Sequence, residues 1–113
     1  MIDANAIRLK ACRRRGGLDQ AELARLVGTT HSTISRYESG RLRPDVGTLI
    51  TYELIFDIPA STLLPDTTIA NRRKTLARAH ALKKRYERSS GALPATKVEF
   101  IRTLCHRLDG TSP

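Results

Sequence analysis

Residues 18–44, LDQAELARLVGTTHSTISRYESGRLRP, decide how this chain folds. Asp19 and Glu22 stand three apart, the spacing of a reciprocal cap in which each side chain bonds the other residue's backbone N–H. This predicts a helix over 20–27, with Leu23, Ala24 and Val27 on its inner face. Gly28 stops that helix after two turns, and Thr30 is a capable N-cap for a second one that runs to about Ser39 and ends at Gly40. Ile34 and Tyr37 face inward on the second helix. Two short helices joined by a three-residue turn that begins with glycine form the helix-turn-helix pattern. The residue types have physical reasons. Ala24 is small because the second helix crosses over it, and Gly28 permits the turn that redirects the chain. Ile34 and Tyr37 anchor the second helix so that His31, Ser32, Ser35 and Arg36 project outward.

On the N-terminal side, residues 5–15 read as a helix with Leu9 and Cys12 inward, stopped by Gly16-Gly17. On the other side, Pro44-Asp45 punctuates, and Val46 to Phe56 read as a fourth helix with Val46, Leu49 and Ile50 expected in the core. Ala60 to Leu64 form a last short turn of helix before Pro65. Residues 67–89 then read as one long helix with an imperfect apolar stripe of Ile69, Leu76, Ala79, Leu82 and Tyr86, closed by Ser89-Ser90-Gly91 and Pro94. Thr96 and Glu99 read as a capping box for a final helix over 97–108, with Val98, Ile101, Leu104, Cys105 and Leu108 at helical spacing. The expected fold is all-α in two regions, five helices in 1–65 and a two-helix extension in 66–113.

Composition narrows the function. The chain has 113 residues, twenty Lys and Arg against eleven acids, a net charge of +9 and a pI near 10.4, the footprint of a polyanion binder. Residues 1–65 hold nine basic and seven acidic groups, whereas 66–113 hold eleven and four, so the excess lies in the extension. Glu53 and Asp57 interrupt the most apolar stretch, so no membrane span is expected, and MIDANAIRLK lacks the apolar core of a signal peptide. Cys12 and Cys105 stand far apart with no C-x-x-C, which gives neither a metal site nor a disulfide framework; both read as small apolar packing residues in a reducing cytosol. No histidine stands with a nucleophile and no glycine-rich phosphate loop follows a strand, so neither an enzyme nor a cofactor is expected.

The quoted stretch, with Q-x-x-L-A at 20–24 and I-S-x-x-E-x-G at 34–40, followed by LITYELIFDIPASTLL at 49–64, resembles the Cro/cI (Xre-type) helix-turn-helix repressors over residues 5–65. The resemblance implies a five-helix, lambda-repressor-like domain that binds double-stranded DNA, usually as a dimer on a pseudo-palindromic operator. Asp57, where the family often has Gly, and Gly47 inside the fourth helix depart from its pattern. In such docking the helix from about 30 to 39 lies in the major groove, so Thr30, His31, Ser32 and Arg36 occupy base-reading positions. Arg36 is the sharpest candidate, because a guanidinium bonds guanine O6 and N7 together; the alternative is a solvated surface arginine. Gln20 falls beside the DNA backbone at a helix N-terminus, and Thr29, Arg41 and Arg43 are further phosphate candidates. Glu38 opposes its own helix dipole and would repel DNA, but the matching family residue pairs with an arginine of the first helix, here Arg13. An Arg13–Glu38 ion pair is therefore implied.

The extension needs a separate reading. Lys74, Arg78, Arg85 and Arg88 share one face of the long helix and either extend the footprint over flanking phosphates or form a solvated face. Pieces of about 40 residues rarely sustain their own core, so the stripe Val98, Ile101, Leu104, Cys105 and Leu108 needs cover, from a second copy or from its own body. A reader of this type needs two heads about 34 Å apart, which favours a homodimer. The layout is similar to small Xre-type regulators that dimerise through a two-helix tail. The leading expectation is thus a cytoplasmic, dimeric transcriptional repressor. The alternative is an antitoxin-like protein whose residues 66–113 bind a partner protein while the reader represses the operon.

Overall fold

Asp3 opens the first helix, its carboxylate accepting the N–H of Asn5, in a computed structural model that describes residues 3–110. Seven helices follow: α1 (Ala4–Arg15), α2 (Gln20–Val27), α3 (His31–Ser39), α4 (Val46–Phe56), α5 (Ala60–Leu63), α6 (Pro65–Glu87) and α7 (Ala95–Leu108). The chain divides into two compact units, with the division between Thr68 and Ile69, inside α6.

Local chemistry sets the boundaries of the first unit. Asp19 accepts from the Glu22 N–H at 2.7 Å while Glu22 accepts from the Asp19 N–H at 3.0 Å, the full reciprocal cap. Gly28 takes a left-handed conformation (φ 84°) that ends α2 and turns the chain toward α3. Thr30 caps α3 through the Thr33 N–H, and Asp45 caps α4 through the Thr48 N–H at 2.8 Å. Those contacts with Thr48 hold the Asp45 carboxyl below its ordinary range. Gly40 ends α3 at φ 79°, a left-handed conformation that favours glycine, and a Cβ there would stand a tight 3.3 Å from the Asp3 side chain. Asp57 holds the matching left-handed position after α4 (φ 55°), the place where the sequence departs from the glycine that the resembling family often has.

The core of this unit gathers Leu9, Cys12, Leu23, Ala24, Ile34, Tyr37, Tyr52 and Leu63, drawn from α1 to α5. Buried Asn5 ties α1 to the start of α6, donating to Thr67 Oγ1 at 2.9 Å and accepting from the Asp66 N–H at 3.0 Å. Cys12 is a free, buried thiol whose pKa burial pushes up, against the opposing pull of Arg15 and Arg8. One sequence expectation fails here. Val46 and Ile50 are 73% and 53% exposed and Leu49 is only half-buried; α4 instead turns Tyr52 into the core, with Ile55 and Phe56 packed beside it. The helix, VGTLITYELIF, is apolar almost all round, so its periodicity could not say which face is inner.

The second unit is thinner. Ala79 of α6 meets Ile101 and Cys105 of α7, with Leu82, Tyr86 and Leu104 packed against them, and Lys97 stands over the Tyr86 ring at 5.2 Å. Of the stripe expected on the long helix, Ile69 is exposed. That helix begins at Pro65, because proline suits the first helical position, and ends at Glu87. The expected capping box at Thr96 is absent. Helix α7 starts directly after Pro94 with no side-chain cap, Thr96 lies inside its first turn, and Glu99 pairs with Arg102 at 2.6 Å instead.

Candidate nucleic-acid interface

The site is built around one ion pair. Glu38, near the end of α3, accepts from Arg13 of α1 twice, Nε to Oε2 at 2.7 Å and Nη2 to Oε1 at 2.9 Å, while Arg13 Nη1 donates to the Leu18 carbonyl at 2.9 Å. Both side chains are nearly out of water, 10% and 3% exposed. The Glu38 hydrogen bond holds the Arg13 guanidinium above its ordinary value, outweighing the burial that opposes it. A two-pronged contact of this kind fixes angle as well as distance. It therefore sets how α3 lies across α1.

The pair has a third member. Gln20, the first residue of α2, donates from Nε2 to Glu38 Oε1 at 3.1 Å and with its other amide atom meets His31 Nε2 at 2.7 Å. Arg13, Glu38, Gln20 and His31 thus form one hydrogen-bonded chain linking α1, α2 and α3, which ends on the first residue of α3. The sequence reading expected Gln20 beside DNA and His31 on the reading face, but not their contact. The contact is tertiary, between residues of successive helices, and leaves no trace in the local sequence pattern.

The remaining candidates divide by what already holds them. Ser32 and Arg36 are exposed on α3, and neither side chain has a protein partner among the described residues. Thr30 is exposed too, but its hydroxyl accepts the Thr33 N–H at 3.1 Å and meets the Thr33 hydroxyl at 2.9 Å, so its first duty is the cap. Thr29 is half-buried in the turn, and Arg41 and Arg43 are exposed in the loop after α3. Lys74, Arg78 and Arg85 are exposed on α6, and Arg88, expected on the same helix, is exposed in the turn just beyond its end at Glu87. Of the five residues expected to face a second chain, Ile101 and Cys105 are buried within the second unit, Leu104 and Leu108 are half-buried, and Val98 is 39% exposed. The sequence reading passed over Phe100, which is 59% exposed on the same helix. Beneath the ion pair, the Tyr52 hydroxyl is buried without a hydrogen-bond partner; burial, with Glu38's charge adding, pushes its pKa far up.

No group of three potential metal ligands exists among the described residues, and none of their helices is long and apolar enough to cross a membrane. A capped two-helix reader with a braced, outward-facing second helix defines a helix-turn-helix domain. Residues 9–63 match the helix-turn-helix family model, and this domain belongs to that family in its Cro/C1 (Xre-like) form. The chain is accordingly a DNA-binding transcription regulator of the Cro/C1 type that binds double-stranded DNA; such regulators are typically not enzymes. No curated protein and no solved structure matches it.

Proposed function

We propose that the chain is a sequence-specific repressor that binds a pseudo-palindromic operator as a homodimer in the cytoplasm. The carrying observation is the brace from Arg13 through Glu38 and Gln20 to His31, which fixes α3 while Ser32 and Arg36 keep unpaired polar groups outward. A side chain that must read a base needs this combination, because a mobile reader would lose its selectivity to conformational entropy. In this reading Arg36, Ser32 and His31 meet base edges, with Thr30 at their border. Gln20, Thr29, Arg41 and Arg43 meet the DNA backbone. Lys74, Arg78, Arg85 and Arg88 reach flanking phosphates, which raises affinity for any sequence. Because Ile101 and Cys105 are occupied inside their own unit, the second copy is offered Val98 and Phe100.

Selection from a random duplex pool tests this together with the mass of the complex formed on the winning duplex. The reading expects one enriched sequence with two related half-sites and two chains per duplex. A chain that stays monomeric and enriches nothing would shift the reading to a protein that binds a partner through residues 66–113.

A further inference from the structure

We infer that His31 is locked in a single tautomer and reads DNA as a hydrogen-bond acceptor, selecting an amino-bearing base, adenine or cytosine, on the strand it faces. The inference rests on the proposed docking of α3 in the major groove and adds to it the polarity of one contact.

Glu38 sets that polarity. Its carboxylate is held by three donors: Arg13 Nε, Arg13 Nη2 and Gln20 Nε2. Toward these three donors both carboxylate oxygens act as acceptors. Gln20 must therefore turn its NH2 toward Glu38, since the opposite orientation would set a carbonyl oxygen against a negative oxygen. With the amide fixed in this way, its carbonyl Oε1 faces His31 Nε2 at 2.7 Å. A carbonyl has no proton to give, so the hydrogen in that contact belongs to His31 Nε2.

A neutral imidazole carries one N–H. With Nε2 protonated, Nδ1 holds a lone pair, and Nδ1 makes no hydrogen bond among the described residues. His31 is exposed at the start of α3, next to exposed Ser32. In the major groove adenine N6 and cytosine N4 donate, whereas guanine O6 and N7 and thymine O4 accept. An Nδ1 lone pair is satisfied by the first pair of bases and repelled by the second. The ion pair thus acts at a distance. Glu38 touches no base, yet its charge, passed through the Gln20 amide, sets which nitrogen of His31 carries the proton.

Two measurements on the full-length chain test this. The first needs no DNA: two-bond proton–nitrogen correlation spectra of the histidine rings at about pH 8, above the ordinary imidazole range, with His31 assigned by comparison with His31→Ala. The expected pattern is the Nε2–H tautomer in the wild type and a mixture in Gln20→Leu, which removes the relay but leaves the Arg13–Glu38 pair intact. An Nδ1–H tautomer or a mixture in the wild type would overturn the inference. The second uses the duplex recovered by selection, with each base pair substituted in turn. One position should prefer A or C over G or T by about five- to tenfold, the size of one net hydrogen bond. That preference should vanish in His31→Ala and in Gln20→Leu. A preference for G or T there, or no His31-dependent position, contradicts the inference even if Arg36-dependent positions persist and the function stands. If no duplex is enriched at all, the function fails and the base-reading inference fails with it, while the ring spectra still report the relay separately.

Discussion

The two units of this chain both pack helix on helix but hold themselves in different ways. The first draws a core from five helices and closes every helix from α1 to α4 with an N-cap side chain. The second has a core of three buried residues from two helices, and α7 lacks a side-chain cap. Charge follows the same division. In the first unit one ion pair, Arg13–Glu38, is buried at the centre, whereas Lys74, Arg78 and Arg85 of α6 stand in water. In the proposed function this difference separates two tasks, holding a reading surface at fixed geometry and supplying attraction that needs no fixed geometry.

Removing Glu38 should have the largest effect. Glu38→Ala leaves the Arg13 guanidinium buried without its counter-ion, and we expect a loss of about 3–5 kcal/mol in stability, read as a fall in the unfolding midpoint. A loss under about 1 kcal/mol would mean that the pair braces nothing. Next come the cores. Leu23→Ala empties a fully buried site in the first unit and should cost about 2–5 kcal/mol. Ile101→Ala, at the more open position in the second unit, should fall at the low end, about 2 kcal/mol. Its increase in amide exchange should stay within residues 69–110. Exchange that rises equally in both units would show that they are one cooperative body, contrary to the comparison.

The charge contrast gives a smaller effect on sequence choice but a clear one on salt. Replacing Lys74, Arg78, Arg85 and Arg88 together by glutamine should weaken binding to all duplexes alike. It should also flatten the slope of log affinity against log salt by up to about 0.9 for each phosphate no longer neutralised. An unchanged slope would leave that face merely solvated. The smallest effect is expected at Tyr52. Its hydroxyl is buried without a partner, so Tyr52→Phe removes a desolvated group that gains nothing, and stability should stay level or rise slightly. A measurable loss would reveal a partner for the hydroxyl.

How much of this was legible in the sequence follows from how local each signal is. Caps and turns are read within four residues, so α2 and α3, from Asp19 to Gly40, could be placed from the chain alone. The inner face of α4 was not, because a helix that is apolar all round has no preferred side until its neighbours are present; Val46 and Ile50 were assigned to a core that Tyr52 occupies. Thr96 shows the opposite error. A capping-box spacing was present, but Pro94 had already set the helix entry, and a local motif yields to a stiffer neighbour. Of the candidate site, the exposed positions of Ser32 and Arg36 follow from helical periodicity. The Gln20–His31 contact is tertiary, with no periodic trace, and only the folded turn reveals it.

In the proposed function the first unit selects sequence while the basic face of α6 supplies sequence-independent affinity. The most direct test compares wild type and Arg36→Ala by fluorescence anisotropy on the selected duplex and a scrambled one, at two salt concentrations. Wild type should prefer the selected duplex by about a thousandfold or more. Arg36→Ala should lose about 1–3 kcal/mol of that preference while its salt slope on the scrambled duplex is unchanged. Equal binding of both duplexes by the wild type, with one steep salt slope, would contradict the claim.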